Sequence, residues 1–279
     1  MRRWIFALLA LLGVASPVTA QPLEPMTGLA VLGSDNLTTY KACFDRVDDN
    51  PAEAFEQAMI WRDQGGGNLA LHCVAAALLA LGQPSVAADR LEQLALTARN
   101  APIAVRARLL SQAGQCWLAA RLPDRANAAL TIALDVAPEL PDLWVDRAVT
   151  LAAARNYWEA IDDLNRALEL QPRYGIALAL RAAAYRFVDS LDLAMEDAEE
   201  AVRQAPGLPE AYLERGILRR LRGNVAGARA DWLRVLVLEP EGDAGETARA
   251  NIERMELRLD ENPATLPPKT RSGWRWNPF

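Results

Sequence analysis

The stretch PDLWVDRAVTLAAARNYWEAIDDLNRALELQPRY, residues 141–174, decides how the rest of this 279-residue chain is read. Leu143, Trp144, Ala148 and Leu151 fall on one face of a helix. Asn156-Tyr157 marks a turn, and Ala160, Ile161, Leu164, Ala167 and Leu168 line a second helix that Pro172 ends. One such helical hairpin cannot bury both of its apolar stripes alone, so it needs neighbours of the same kind.

The neighbours are present. Moving outward in steps of 34 residues, the proline recurs as Pro138, Pro172, Pro206 and Pro240. Ala126, Ala160, Ala194 and Ala228 keep the same step, as do Gly114, Ala148, Ala182 and Gly216. Ala133, Ala167 and Ala201 form a further series, with Val235 in its fourth place. Small residues at these places let two helix backbones approach, while Trp144, Leu164 or Trp232 fills the space beside them.

The 34-residue period and its residues resemble the tetratricopeptide repeat family, whose pattern runs Trp, Leu-Gly, Tyr, Ala, Phe, Ala, Pro. The aromatic starts here are Trp144 and Tyr212, with Leu110 and Leu178 in the other copies. The resemblance implies an all-α, right-handed superhelical solenoid of helical hairpins with a closing helix. The expected units are 107–140, 141–174, 175–208 and 209–242, after a looser one at 68–106 and a divergent hairpin at 38–67. A closing helix over 243–258 completes a solenoid of 38–258. In the divergent hairpin, Asn50-Pro51-Ala52-Glu53 carries the start of a second helix, with Asn as cap and Glu closing a capping box.

One departure from the family pattern stands out. Where Leu is usual, three copies have Arg147, Arg181 and Arg215, and the same three have Asp163, Asp197 and Asp231. The copy at 107–140 has Ala113 and Ala129 at those places. A partly buried Arg needs a counter-charge. An ion pair inside each of the three hairpins is therefore expected, with a structural role.

Nothing points to catalysis. His72, the single histidine, adjoins Cys73 on an apolar helix over 69–81, where neighbours point about 100° apart. A thiolate–imidazole pair needs contact across space and an oxyanion site. One His and three scattered Cys supply no zinc cluster. Gly65-Gly66-Gly67 lacks the Lys-Ser/Thr of a phosphate loop and reads as a connector. Asp162-Asp163 and Glu199-Glu200 read as solvated helix surface. No cofactor or metal is expected.

In tetratricopeptide-like stacking the helices carrying Cys43 and Cys73 are neighbours, so a disulfide between them is expected, leaving Cys116 free. Three reduced, buried thiols are the alternative. The resemblance also places the first helix of each hairpin on a concave side. The positions it turns inward are His72, Arg108, Ser111, Gln115, Val145, Val149, Ala179, Ala183, Arg186, Phe187, Leu213, Ile217, Arg220 and Leu221. That surface is apolar with scattered arginines, suited to an extended or helical peptide of some acidic character. Some members of the family clamp a C-terminal carboxylate with Lys and Asn. Ser111, Gln115, Val145 and Val149 do not match that clamp.

The ends differ from the middle. Arg2-Arg3, an apolar run over 4–14 and Val18-Thr19-Ala20 form an export signal at 1–20, cut after Ala20, followed by an extended segment at 21–37. The apolar run would rise about 16 Å as a helix, against roughly 30 Å of hydrocarbon. Cleavage removes two arginines and takes the net charge from −6 to −8, which disfavours nucleic acid as a partner. A tail at 259–279 carries Pro263, Pro267 and Pro268, then Trp274, Trp276 and Phe279, residues able to dock on the solenoid or on an envelope partner. The expectation is a periplasmic protein-interaction scaffold without enzymatic activity. Two alternatives remain: a thiol-redox or hydrolytic accessory protein using Cys116 or His72, and a self-associating structural subunit.

Overall fold

A computed structural model describes residues 22–26 and 34–261, without the side chains of 34, 35 and 257–261. The export signal and the aromatic tail with Trp274, Trp276 and Phe279 lie outside the described residues. Residues 22–26 are extended, and from Ser34 on the regular elements are helices: α1 (Ser34–Asp49), α2 (Pro51–Trp61), α3 (Gly67–Ala80), α4 (Pro84–Thr97), α5 (Ile103–Ala119), α6 (Pro123–Val136) and α7 (Pro141–Ala153). Then come α8 (Tyr157–Leu170), α9 (Gly175–Phe187), α10 (Leu191–Gln204), α11 (Pro209–Leu221), α12 (Val225–Leu238) and the closing α13 (Asp243–Glu261). Odd and even helices pair as hairpins, and the hairpins stack into a solenoid.

Local chemistry sets the helix ends. Asn50 caps α2 by accepting from the Glu53 amide at 3.3 Å, and Pro51 sits first inside. The Glu53 carboxylate accepts from the Asn50 side-chain amide at 3.4 Å instead of from its backbone. Between α2 and α3, Gly65 and Gly67 take φ of 93° and 55°, which a Cβ would resist. The turns inside the hairpins repeat one device, a left-handed residue just after the first helix. Gly82 and Gly223 hold it, and so do Arg121, Arg155 and Asp189 with φ near 60°. The next amide then closes a long bond back onto the helix, as Asn156 N to Leu151 O at 2.9 Å and Ser190 N to Tyr185 O at 2.9 Å.

Packing within a hairpin runs through the small residues. A Cβ on Gly216 would lie 2.4 Å from Trp232 Nε1, and one on Gly114 2.9 Å from Leu130. Ala148, Ala160, Ala167, Ala182, Ala194 and Ala201 are buried, and Leu164 and Trp232 fill the layer between the helices. Each such leucine contributes about 2 kcal/mol by burial. Neighbouring first helices also touch each other (α1 with α3, α5 with α7, α9 with α11), whereas no pair of second helices comes as close. The first helices therefore lie on the inside of the curve.

Candidate functional site

The inner face is more closed than the register suggests. His72, Ser111, Val145, Ala179, Ala183 and Leu213 are buried between adjacent first helices, so a partner cannot touch them. This corrects their assignment as lining residues. These side chains are short, or lie low in the seam where one first helix meets the next, and the close helix approach swallows them. Val149 is 9% exposed. Arg108 and Leu221 are exposed, and Gln115, Phe187, Ile217 and Arg220 are half-buried. The usable row is therefore Gln115, Val149, Phe187, Ile217 and Leu221, flanked by Arg108 and Arg220. At its far end Ile217, Arg220 and Leu221 join Trp232, Asn251 and Arg254 around a hollow of about 180 Å³.

The charge of this face also differs from expectation. Arg186 donates to the buried carboxylate of Glu214 at 2.6 and 3.2 Å, so it is engaged within the protein. Asp146, also buried, accepts from Ser111 and from Gln115 at 3.3 Å. Phe187 stacks on Tyr157 with ring centroids 4.6 Å apart, and the Arg186 guanidinium lies 4.5 Å from the centroid of the Phe187 ring. The face is thus apolar and polar, with Arg108 and Arg220 as its outlying cations. The seam carboxylates went unrecognised in the sequence, although Gln112, Asp146 and Glu214 keep the 34-residue register.

Away from this face, each of three hairpins carries a bidentate ion pair. Arg147 donates to Asp163 at 2.7 and 2.8 Å, Arg181 to Asp197 at 2.7 and 2.8 Å, and Arg215 to Asp231 at 2.7 and 3.0 Å. Arg181 also reaches Asn165 of the preceding hairpin at 2.8 Å, and Arg147 reaches Thr131 at 3.5 Å. Ala113 and Ala129 are both buried in the hairpin that lacks the pair. Beside Ala129, on the side of the second helices, a cavity of about 290 Å³ opens between α4 and α6, bordered by Leu96, Ile132 and Val136.

Neither proposed nucleophile is placed for chemistry. Cys116 is buried, and desolvation pushes its thiol up to about 12, so no thiolate is available near neutrality. His72 is buried between Tyr40 and Gln112 and is lowered to about 4 by desolvation, which keeps it neutral. Cys43 and Cys73 are joined by a disulfide that ties α1 to α3. Among the described residues no acidic, His or Cys cluster suits a metal ion, and no helix is long and apolar enough to cross a membrane.

The sequence predicts an extended segment at 21–37, but not that its start docks on the solenoid. The extended stretch Pro22-Leu23-Glu24-Pro25-Met26 lies on the first helices with Leu23 and Met26 buried. The Met26 amide donates to Tyr40 Oη at 2.8 Å, and Gln112 Nε2 donates to the Glu24 carbonyl at 3.2 Å.

Comparison with known proteins places the fold. No family model matches the chain. TTC0263, a thermophilic TPR protein of Thermus thermophilus, superposes with a TM-score of 0.56 at 17% identity, over 68% of this chain and 100% of that one. MamA (residue 41 to the end) from Desulfovibrio magneticus RS-1 gives a TM-score of 0.50 at 19% identity, over 67% and 97%. Among curated proteins, the human protein O-mannosyl-transferase TMTC1 is 28% identical over 110 residues, 38% of this chain. The match spans 12% of TMTC1. The chain has the tetratricopeptide-type solenoid fold.

Proposed function

We propose that the chain is a periplasmic interaction scaffold that holds a peptide segment of a partner protein along the face of its first helices. The observation that carries this reading is the row from Gln115 through Val149 and Phe187 to Leu221, in which Leu221 is exposed and Gln115, Phe187 and Ile217 are half-buried. It ends in the hollow beside Arg220 and Arg254. Apolar side chains in a concave strip, with hydrogen-bonding groups at intervals, suit an extended or helical peptide. Because Glu214 engages Arg186, any acidic group of the ligand is expected opposite Arg108 or Arg220. The leader-like residues 1–20 and the interhelical disulfide, a bond that persists in an oxidising environment, support that compartment.

The test uses residues 21–279 beside a variant with Val149→Glu and Phe187→Glu. A partner held from envelope extract by the first and released by the second would be fragmented. One of its peptides should then bind the purified chain with the same dependence. Equal binding to both proteins, with helicity unchanged, would place the contact elsewhere and overturn the reading.

A further inference from the structure

Around residues 22–26 the hydrogen bonds form a loop with one direction. The Met26 amide donates to Tyr40 Oη, which leaves the phenol proton for His72 Nδ1, 2.5 Å away. A neutral His72 must then carry its proton on Nε2, which faces Gln112 Oε1 at 2.7 Å. The Gln112 amide closes the loop by donating to the Glu24 carbonyl. The chain of groups thus runs from a peptide N–H to a peptide C=O two residues earlier. The three side chains come from three successive first helices, α1, α3 and α5.

This arrangement reads main chain. The Glu24 side chain is exposed, and only Leu23 and Met26 enter the protein. Among the described residues no backbone-to-backbone hydrogen bond ties 22–26 to the solenoid. Pro22 and Pro25 hold the stretch extended at low entropic cost. Its partner Gln112 lies within one turn of Gln115, the first member of the inner-face row, on α5.

We infer that Tyr40 and Gln112, held by the buried His72 between them, form a recognition site for the main chain of an extended peptide with apolar residues at its first and fourth positions. Residues 22–26 occupy it in cis, and a partner segment of that pattern displaces them. The site rests on the proposed peptide-binding role and gives it a ligand class. A tethered occupant competes at an effective concentration of about millimolar, so it lowers the apparent affinity for any peptide in trans.

The experiment replaces residues 27–33 by a protease site and cuts the chain after it has folded and oxidised. The probe is a fluorescein-labelled, end-blocked peptide Pro-Leu-Glu-Pro-Met, followed by anisotropy. The cut, dialysed protein should bind the probe about tenfold or more tightly than the uncut protein. Gln112→Leu in the cut protein should abolish that gain, and a probe with Asp at both apolar positions should not bind. The inference is overturned if cutting gives no gain, if Gln112→Leu retains it, or if the cut protein loses helicity on dialysis, because the stretch is then core. Failure here, with Val149→Glu and Phe187→Glu still releasing a captured partner, would remove the relay and leave the inner-face reading standing.

Discussion

Replacing Arg147 by Leu restores the residue usual in the family, yet it should destabilise this protein. Asp163 is 5% exposed, and its two carboxylate oxygens accept from Arg147 alone among the hydrogen bonds described above. Burial already raises its pKa despite the guanidinium. Without Arg147 a carboxylate is left in the hairpin with no counter-charge. A fully buried pair broken in this way costs about 3–5 kcal/mol. The Arg147 side chain keeps 21% exposure, so the cost falls just below that range, about 2–3 kcal/mol. Changing Asp163 to Ala in addition should return stability to within about 1 kcal/mol of the parent, because replacing both members of a pair by apolar groups is often neutral. The hairpin with Ala113 and Ala129 shows that the fold accommodates that solution. Urea denaturation followed by circular dichroism supplies the cycle. The Arg147→Leu penalty should also shrink as pH falls, because burial raises the Asp163 carboxyl and its protonation removes the unpaired charge. A single variant within about 0.5 kcal/mol of the parent, or a double variant as weak as the sum of the singles, would refute the reasoning.

Two buried titrating groups should pull stability in opposite directions with pH. His72 falls from 6.5 to about 4 on folding, so its contribution is lost as pH drops through that window, by about 3 kcal/mol; the His72→Gln variant should lose less than the parent on acidification. Burial raises Glu210 from 4.5 to about 7, so its contribution is lost as pH rises through that window; Glu210→Gln should gain on the parent by about 3 kcal/mol toward pH 7. Denaturation of both variants between about pH 4 and 7 checks the two signs. Removing the Cys43–Cys73 bridge, with its 30-residue separation, should cost about 3 kcal/mol, and mass spectrometry of the denatured, unreduced chain should count one free thiol, Cys116. Gly216→Ala should cost about 1–3 kcal/mol, because its Cβ would meet the Trp232 ring at 2.4 Å, whereas Gly207→Ala has open space and should be neutral in the same melt.

The solenoid was legible because its determinants are local and repeated. Each hairpin needs a small residue at the helix crossing and a breaker after the second helix, so the requirement recurs every 34 residues as Ala160, Ala194 and Ala228 or Pro172, Pro206 and Pro240. The Arg–Asp pairs leave a trace for a similar reason: two charges that depend on each other come and go together. The inner face was harder to read. Whether Val145 or Leu213 faces a ligand or a neighbouring helix depends on how closely successive hairpins approach, a distance no single repeat encodes. Residues 22–26 lie outside the periodic part altogether. Their contacts with Tyr40 and Gln112 span 14 and 88 positions, and nothing in a short proline-flanked stretch declares such a range.

The ion pairs also make the stack mechanically uneven. Arg181 holds Asp197 in its own hairpin and Asn165 in the one before, and Arg147 spans Asp163 and Thr131 likewise. Bending the spring there means stretching charge-assisted bonds. The unit with Ala113 and Ala129 lacks such a fork between its two helices, and it lies next to an open cavity that can be compressed. A bound segment that changed the pitch would compress that cavity at one turn and stretch Arg–Asp forks at the others, so the coil would not deform evenly along its length.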